Sequence, residues 1–584
     1  MPDVNPMERK FFHKEFAVTD WEGVQPFADD LLSREIDSPA EFERFLEDQN
    51  ELDVILWDDY AWREIRATCN TEDKEAAQRL EEYEQNIAPP LAVLKDKIGR
   101  KILSSVYAPQ YEKPGFAIMR QRLKDKEKVF HPDNTALANS ISQNVAAVRA
   151  LEGKRSVTLD GTDYTFEQAA DMLSLNDRSK REEAWKATAN RLAQDKTELD
   201  VIFDDMFRLR QAQAKNVGLE NYRDYKYIEL GRCYTPSDSE KFYQGIKENV
   251  VPLLKTMHET RKENMGVTHL YPWDLLVDPL NRKPVKAFEN AGDLVEKSQT
   301  MFDNIDPVFG AVFRSIKEKG HLDLMSRMGK ASGAYLQPLY EKNIPFMYQN
   351  ATGKMDGVGT ISHEGGHAVH EVLMAPVGFK AYRDYPMEIA ELGSMAMELI
   401  SMDHWDVFYD NKEELLRAKR EHLENIIVKL PWIGIVAEFQ DKLYVDGNPG
   451  IEQRHELWEE LRKQYDTGEV ETTEYPHPTR TSWHKQNHIF SVPFYYIDYG
   501  IAQLGALQVW RNYKQEPEKA LAQFKEGLTL GNTKSIKDVY ETAGAKFDFS
   551  SEMQKELMQF VGEEIETLRE QEMAEYRKNN PVVS

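Results

Sequence analysis

Residues 363–367 read His-Glu-Gly-Gly-His, and the two adjacent glycines constrain the fold more than any other feature of the chain. Glycine inside a helix costs about 1 kcal/mol relative to alanine. A helix carrying two of them needs a reason, and close approach of another helix or a peptide to that backbone supplies one. On such a helix His363 and His367 lie one turn apart and project from one face, where both imidazoles can hold a single ion. His370 continues the stripe at i+7. Glu364 stands beside the pair, placed to act as general base on a water at the ion.

A catalytic zinc site with two histidines needs a third protein donor, usually a carboxylate. The run Glu388-Ile-Ala-Glu391-Leu-Gly-Ser394 opens a second expected helix, roughly 388–408. Glu391 and Glu398 are seven apart and share a face, so one can bind the ion while the other orients a histidine through its distal nitrogen. Glu388 is the competing donor. Further on, His484-Lys-Gln-Asn-His488 precedes Phe494-Tyr-Tyr-Ile-Asp-Tyr499. Attack on a carbonyl creates an oxyanion, and a tyrosine hydroxyl or an imidazole N–H can stabilise it. Tyr496 and Tyr499 share a helical face, with Tyr495 as the register alternative. His484 and His488 are also one turn apart, but Lys485 takes the place a general base would need, which ranks them lower. His404 reads as a surface or core histidine, and His422 and His477 fit no pattern.

At 584 residues the chain is long enough for more than one core. With 41% hydrophobic and 30% charged residues it has the profile of a soluble globular protein. No apolar run is long enough for a membrane-spanning helix, and the first residues lack the basic-then-apolar layout of a secretory signal. Cys69 and Cys233 are too few for a disulfide framework, which fits a reducing cytoplasm. The net charge of −26, from 74 basic and 100 acidic residues, argues against nucleic acid and anionic membranes as partners.

The pattern along the chain is overwhelmingly helical. Ser38 caps a helix with Pro39 in its first position. Helices are expected over 75–87 and 91–105 with a break at Pro89-Pro90, over 117–132 with a turn at Pro132-Asp-Asn, and over 166–175 and 179–209. Asp160-Gly161 predicts a hairpin within 157–164. Proline, glycine and aromatic residues thicken between 230 and 350, and the tail from Lys578 reads as frayed.

The stretch Asp356-Gly-Val-Gly-Thr-Ile-Ser-His-Glu-Gly-Gly-His-Ala-Val-His370 resembles the active-site helix of the zinc oligopeptidases related to thimet oligopeptidase and oligoendopeptidase F. In that family the third ligand is a glutamate followed by a small-residue pair and, seven positions on, a second glutamate; Glu391, Gly393-Ser394 and Glu398 match. The resemblance extends to Gly329–Ala334 and Ile344–Asn350, similar to the family's glycine-rich segment and substrate-pairing strand, which is expected here as an exposed edge. It extends also to Arg208–Tyr225, and to His488 with Tyr496 and Tyr499. It implies a mainly α fold: two helical lobes around a deep channel, with a small sheet near the active site, divided as an N-terminal lobe over 1–198 and a catalytic region over 199–584. It implies one Zn²⁺ on His363, His367 and Glu391, with Glu364, Tyr499, Tyr496 and His488 catalytic, and internal cleavage of short peptides. The alternatives are a dipeptidyl carboxypeptidase-like exopeptidase on the same site and a non-catalytic helical peptide-binding protein; oligomeric state is not legible.

Overall fold

The computed structural model describes residues 6–445 and 447–580, apart from the side chains of Glu167, Pro476 and His477. The His477 side chain and the last residues of the expected frayed tail thus lie outside the described set. The final helix continues to Asn579.

Helix α1 (Pro39–Cys69) starts as its sequence dictates: Ser38 accepts from the Glu41 N–H and Pro39 fills the first position. The expected break at Pro89-Pro90 does not occur. Lys74–Glu82 passes through a π turn, Tyr83–Ile87, directly into Ala88–Ser104. That wide turn restarts the ladder, so both prolines fall in a first helical turn, where a missing N–H is tolerated. Pro132, expected in a turn, instead opens the helix Pro132–Glu152 for the same reason. The hairpin forms as expected: β1 (Ser156–Leu159) pairs with β2 (Thr162–Thr165) around Asp160 and Gly161, both at positive φ. The single helix expected over 179–209 is two, Arg178–Gln194 and α2 (Lys196–Asn216). Asp195 separates them, its carboxylate held by Arg155 at 2.9 Å and Arg191 at 2.6 Å.

Burial divides the chain into two main helical lobes. One core gathers Phe12 to Met119 together with Tyr382, and a larger one runs from Val129 to Ile565. The cores part between Met119 and Val129, while the expected boundary at 198/199 falls within α2.

A three-stranded sheet leads into the site. It comprises β3 (Leu322–Met325), β4 (Tyr335–Gln337) and β5 (Phe346–Ala351), in the order β3-β5-β4. β3 runs parallel to β5 and β4 antiparallel to it. The expectation that 344–350 forms an exposed edge is therefore corrected: β5 is central, and its near-continuous burial is what two flanking strands require. The antiparallel edge is β4, entered from the glycine-rich segment 329–334. A few residues after β5 the chain enters α3 (Met355–Leu373), followed by α4 (Met387–Ser401), the long α5 (Lys412–Val445) and α6 (Tyr496–Gln515). α4 packs against both α3 and α6, which sets three functional segments side by side. Among the described residues no helix is long and apolar enough to cross a membrane.

Candidate metal centre and its surroundings

The double glycine in α3 is explained by what presses on it. A Cβ on Gly365 would stand 2.1 Å from Phe302 Cζ. One on Gly366 would stand 2.7 Å from Ser394 Cα and 2.8 Å from the Gly393 carbonyl. The backbones of α3 and α4 thus meet at Gly366, and only that closeness lets a carboxylate from α4 reach the histidines of α3.

It does reach them. His363 Nε2 lies 3.3 Å and His367 Nε2 3.8 Å from Glu391 Oε2. One donor atom from each of the three lies within 4.8 Å of the others. Donors about 2.1 Å from a tetrahedral ion stand about 3.4 Å apart, so this spacing fits zinc. Ser394 donates to Glu391 Oε2 at 2.9 Å and holds the carboxylate in place. Glu398 does what its seven-residue offset suggested: Oε1 accepts from His363 Nδ1 at 2.6 Å, leaving Nε2 to face Glu391. His422, which carried no sequence signal, comes within 3.5 Å of the other Glu398 oxygen. His370 does not join the group; it is buried and stacks on Tyr385 at 4.3 Å. Glu388 is also buried, but lies in the field of Arg232 and Asp498 instead.

The electrostatics follow from burial in close quarters. Burial opposes charge on His363, yet the hydrogen bonds to Glu391 and Glu398 outweigh it and raise its pKa. His367 has weaker compensation, and burial lowers it to about 4. Burial raises Glu364 to about 7; His363 opposes that shift, while Glu391 and Glu398 add to it. Glu364 Oε2 is shielded and has no hydrogen-bond partner. A buried carboxylate oxygen left free is expensive unless something else binds it.

The tyrosine cluster sits at the start of α6, where Phe494 takes a left-handed φ of 68° and Tyr495 becomes the helix cap. Tyr495 donates to Tyr499, and burial first, then the Glu391 carboxylate, raise both hydroxyls, Tyr499 to about 12. Tyr496 turns toward Trp432 and Gln486 instead. The register alternative, Tyr495, is therefore the one that shares the Glu391 field with Tyr499. His488 packs among all three tyrosines, with ring centroids 4.9–6.0 Å away. A cavity of about 510 Å³ opens beside His363 and Glu398, lined also by Met395, Ile426, Tyr496 and Tyr499.

The other histidine pair is split. His484 Nε2 bonds Asp200 at 2.9 Å, whereas His488 Nδ1 meets Gln486 at 2.8 Å. His404 reaches Tyr513 at 3.4 Å.

The family model for peptidase family M3 matches residues 171–559, and that for the peptidase M3 N-terminal domain matches residues 11–130. The chain belongs to peptidase family M3. It is similar to an oligoendopeptidase F homologue of Lactococcus lactis subsp. lactis (strain IL1403), 24% identical over 311 residues, covering 50% of this chain and 48% of that one. It is also similar to the plasmid oligoendopeptidase F of Lactococcus lactis subsp. cremoris, 26% identical over 267 residues, with 43% and 42% covered. The chain thus spans about half the length of these curated relatives. In fold it is similar to a solved structure of PZ peptidase A with an inhibitor, at TM-score 0.87 and 23% identity over 96% of this chain and 99% of that one.

Proposed function

We propose that the chain is a zinc-dependent endopeptidase that hydrolyses internal bonds of short peptides. The observation that carries this reading is the donor set His363, His367 and Glu391, at zinc-compatible spacing beside a buried Glu364 whose Oε2 has no partner. His363 and His367 through Nε2, and Glu391 through Oε2, would hold the ion. Zinc in such a site supplies Lewis acidity that polarises a peptide carbonyl and lowers the pKa of water.

The chain's own residues do the rest. Glu364, raised to about 7 by burial, accepts the proton of the attacking water and returns it to the leaving amine. Tyr499, with Tyr495 beside it, directs a hydroxyl at the oxyanion; His488 offers an imidazole N–H from the same wall, and Tyr496 borders the cavity. Glu398 keeps His363 aimed through Nδ1. The edge of β4 suits an extended peptide backbone, and the cavity beside His363 suits one of its side chains. A donor set with its acid buried beside a cavity suits short, flexible peptides better than folded proteins, and the unpaired Cys69 and Cys233 suit a reducing cytoplasm.

A ladder of unlabelled peptides, from pentamers up to a small folded protein, tests this, with products mapped by mass spectrometry. Internal cuts in the short peptides alone are expected. Cuts only at one terminus would move the assignment to an exopeptidase, and no cuts by the zinc-loaded chain would leave a peptide-binding protein.

A further inference from the structure

His488 lines the cavity and has two ring nitrogens, and its tautomer decides which of them can donate. The residues behind it decide which. Trp432 Nε1 lies 2.8 Å from Gln486 Oε1. An indole nitrogen can only donate, so the atom it meets must be the amide oxygen. The Gln486 amide nitrogen then faces His488 Nδ1, at 2.8 Å. An amide nitrogen also only donates, so Nδ1 must accept, and the ring hydrogen of the neutral imidazole is left on Nε2. Burial lowers the His488 pKa, which keeps the ring neutral. Trp432 is itself held, edge-on to Trp458 at 5.5 Å and under the Lys485 ammonium at 4.9 Å.

We propose that Trp432 and Gln486 form a positioning relay that locks His488 as the Nε2–H tautomer, so that the ring donates toward the substrate oxyanion and cannot accept there. Gln486 and Trp432 act through His488 and touch no reacting atom. The inference deepens the peptidase reading and rests on it for its catalytic consequence, but the tautomer itself does not.

The full-length chain labelled with nitrogen-15 histidine tests the relay, since protonated and unprotonated ring nitrogens resonate apart. The His488 signals are those lost in His488→Gln. In the wild type they should show hydrogen on Nε2. Gln486→Met removes the hydrogen bonds to Trp432 and His488, together with the contact to Tyr496, without adding charge, and should give a mixture of tautomers. It should also lower kcat about tenfold with KM within about twofold, less than the roughly 10²–10³-fold typical of outright loss of an oxyanion donor. Trp432→Phe keeps Gln486 but frees its amide to turn, and should shift the tautomers in the same direction by a smaller amount. A wild-type His488 carrying hydrogen on Nδ1 would overturn the relay, as would unchanged tautomers in both folded variants. A chain that cleaves no peptide yet shows the expected tautomer shifts would count against the peptidase reading alone.

Discussion

Two clusters in this molecule contain the same side chains, two histidines and one carboxylate, but one has half-buried histidines and the other is buried throughout. In the first, His363, His367 and Glu391 stand 3.3 Å and 3.8 Å apart across the carboxylate, and Glu364 beside them has an oxygen without a partner. In the second, His455 Nε2 and His484 Nε2 lie 3.1 Å and 2.9 Å from the two oxygens of Asp200, with Lys196 at 2.9 Å as a third donor. Trp483 donates to His455 Nδ1 at 3.2 Å, which places the His455 hydrogen on Nε2, aimed at Asp200. Every donor there is already spent on Asp200, whose pKa is held well below the usual range by those hydrogen bonds despite burial. A cation would have to displace a lysine and reverse an imidazole. The comparison teaches that residue types alone do not equip a cluster for a metal: the first has no lysine on its carboxylate among the described residues, and a second acid, Glu364, stands beside it with a free oxygen. The Asp200 hub ties α2 to the helix Ile451–Gln464 and to the 3-10 turn Ser482–Lys485, which leads to His488.

The sharpest way to break the comparison is to change one acid in each cluster. Glu364→Gln should keep one zinc per chain by elemental analysis while kcat on a cleaved peptide falls by roughly 10²–10⁴. Retention of near-normal turnover would remove Glu364 from the role of base. Asp200→Ala should do the opposite, leaving zinc content intact but destabilising the fold by roughly 3–5 kcal/mol, read from denaturant midpoints, because a lysine and two imidazole N–H groups lose their acceptor. Zinc lost from a folded Asp200→Ala chain would put metal chemistry back in the second cluster. Next in size, Glu398→Ala should weaken zinc affinity about 10–100-fold in competition with a chelator. Smaller again, Gly366→Ala should cost about 1–3 kcal/mol by forcing α3 from α4. It should loosen zinc more than Gly365→Ala, whose added methyl meets the Phe302 side chain rather than the Glu391 helix.

Much of this was legible in the sequence, and for a common reason. The pairing of His363 with His367, the shared face of Glu391 and Glu398, the Ser38 cap and the Asp160-Gly161 turn depend on helical or strand period and on local backbone chemistry. Where sequence reasoning failed, the deciding partner was distant along the chain. The segment 346–351 reads as an edge until β3 and β4 flank it. Pro89-Pro90 reads as a break until a π turn resets the ladder. Asp195 sits inside a helical pattern until Arg155 and Arg191 claim its carboxylate.

What could be read from sequence alone was which side chains share a helical face: the order of His, Glu and Gly in α3 and the spacing of acids in α4 set that through helix geometry. Only the tertiary structure decided which histidines are free to bind. It set Glu391 against α3 through the contact at Gly366, turned Tyr495 rather than Tyr496 toward Glu391, and brought Trp432 and Gln486 behind His488. Those outcomes depend on which lone pairs and N–H groups are already taken, and hydrogen bonds between residues distant in sequence are settled only when the chain folds.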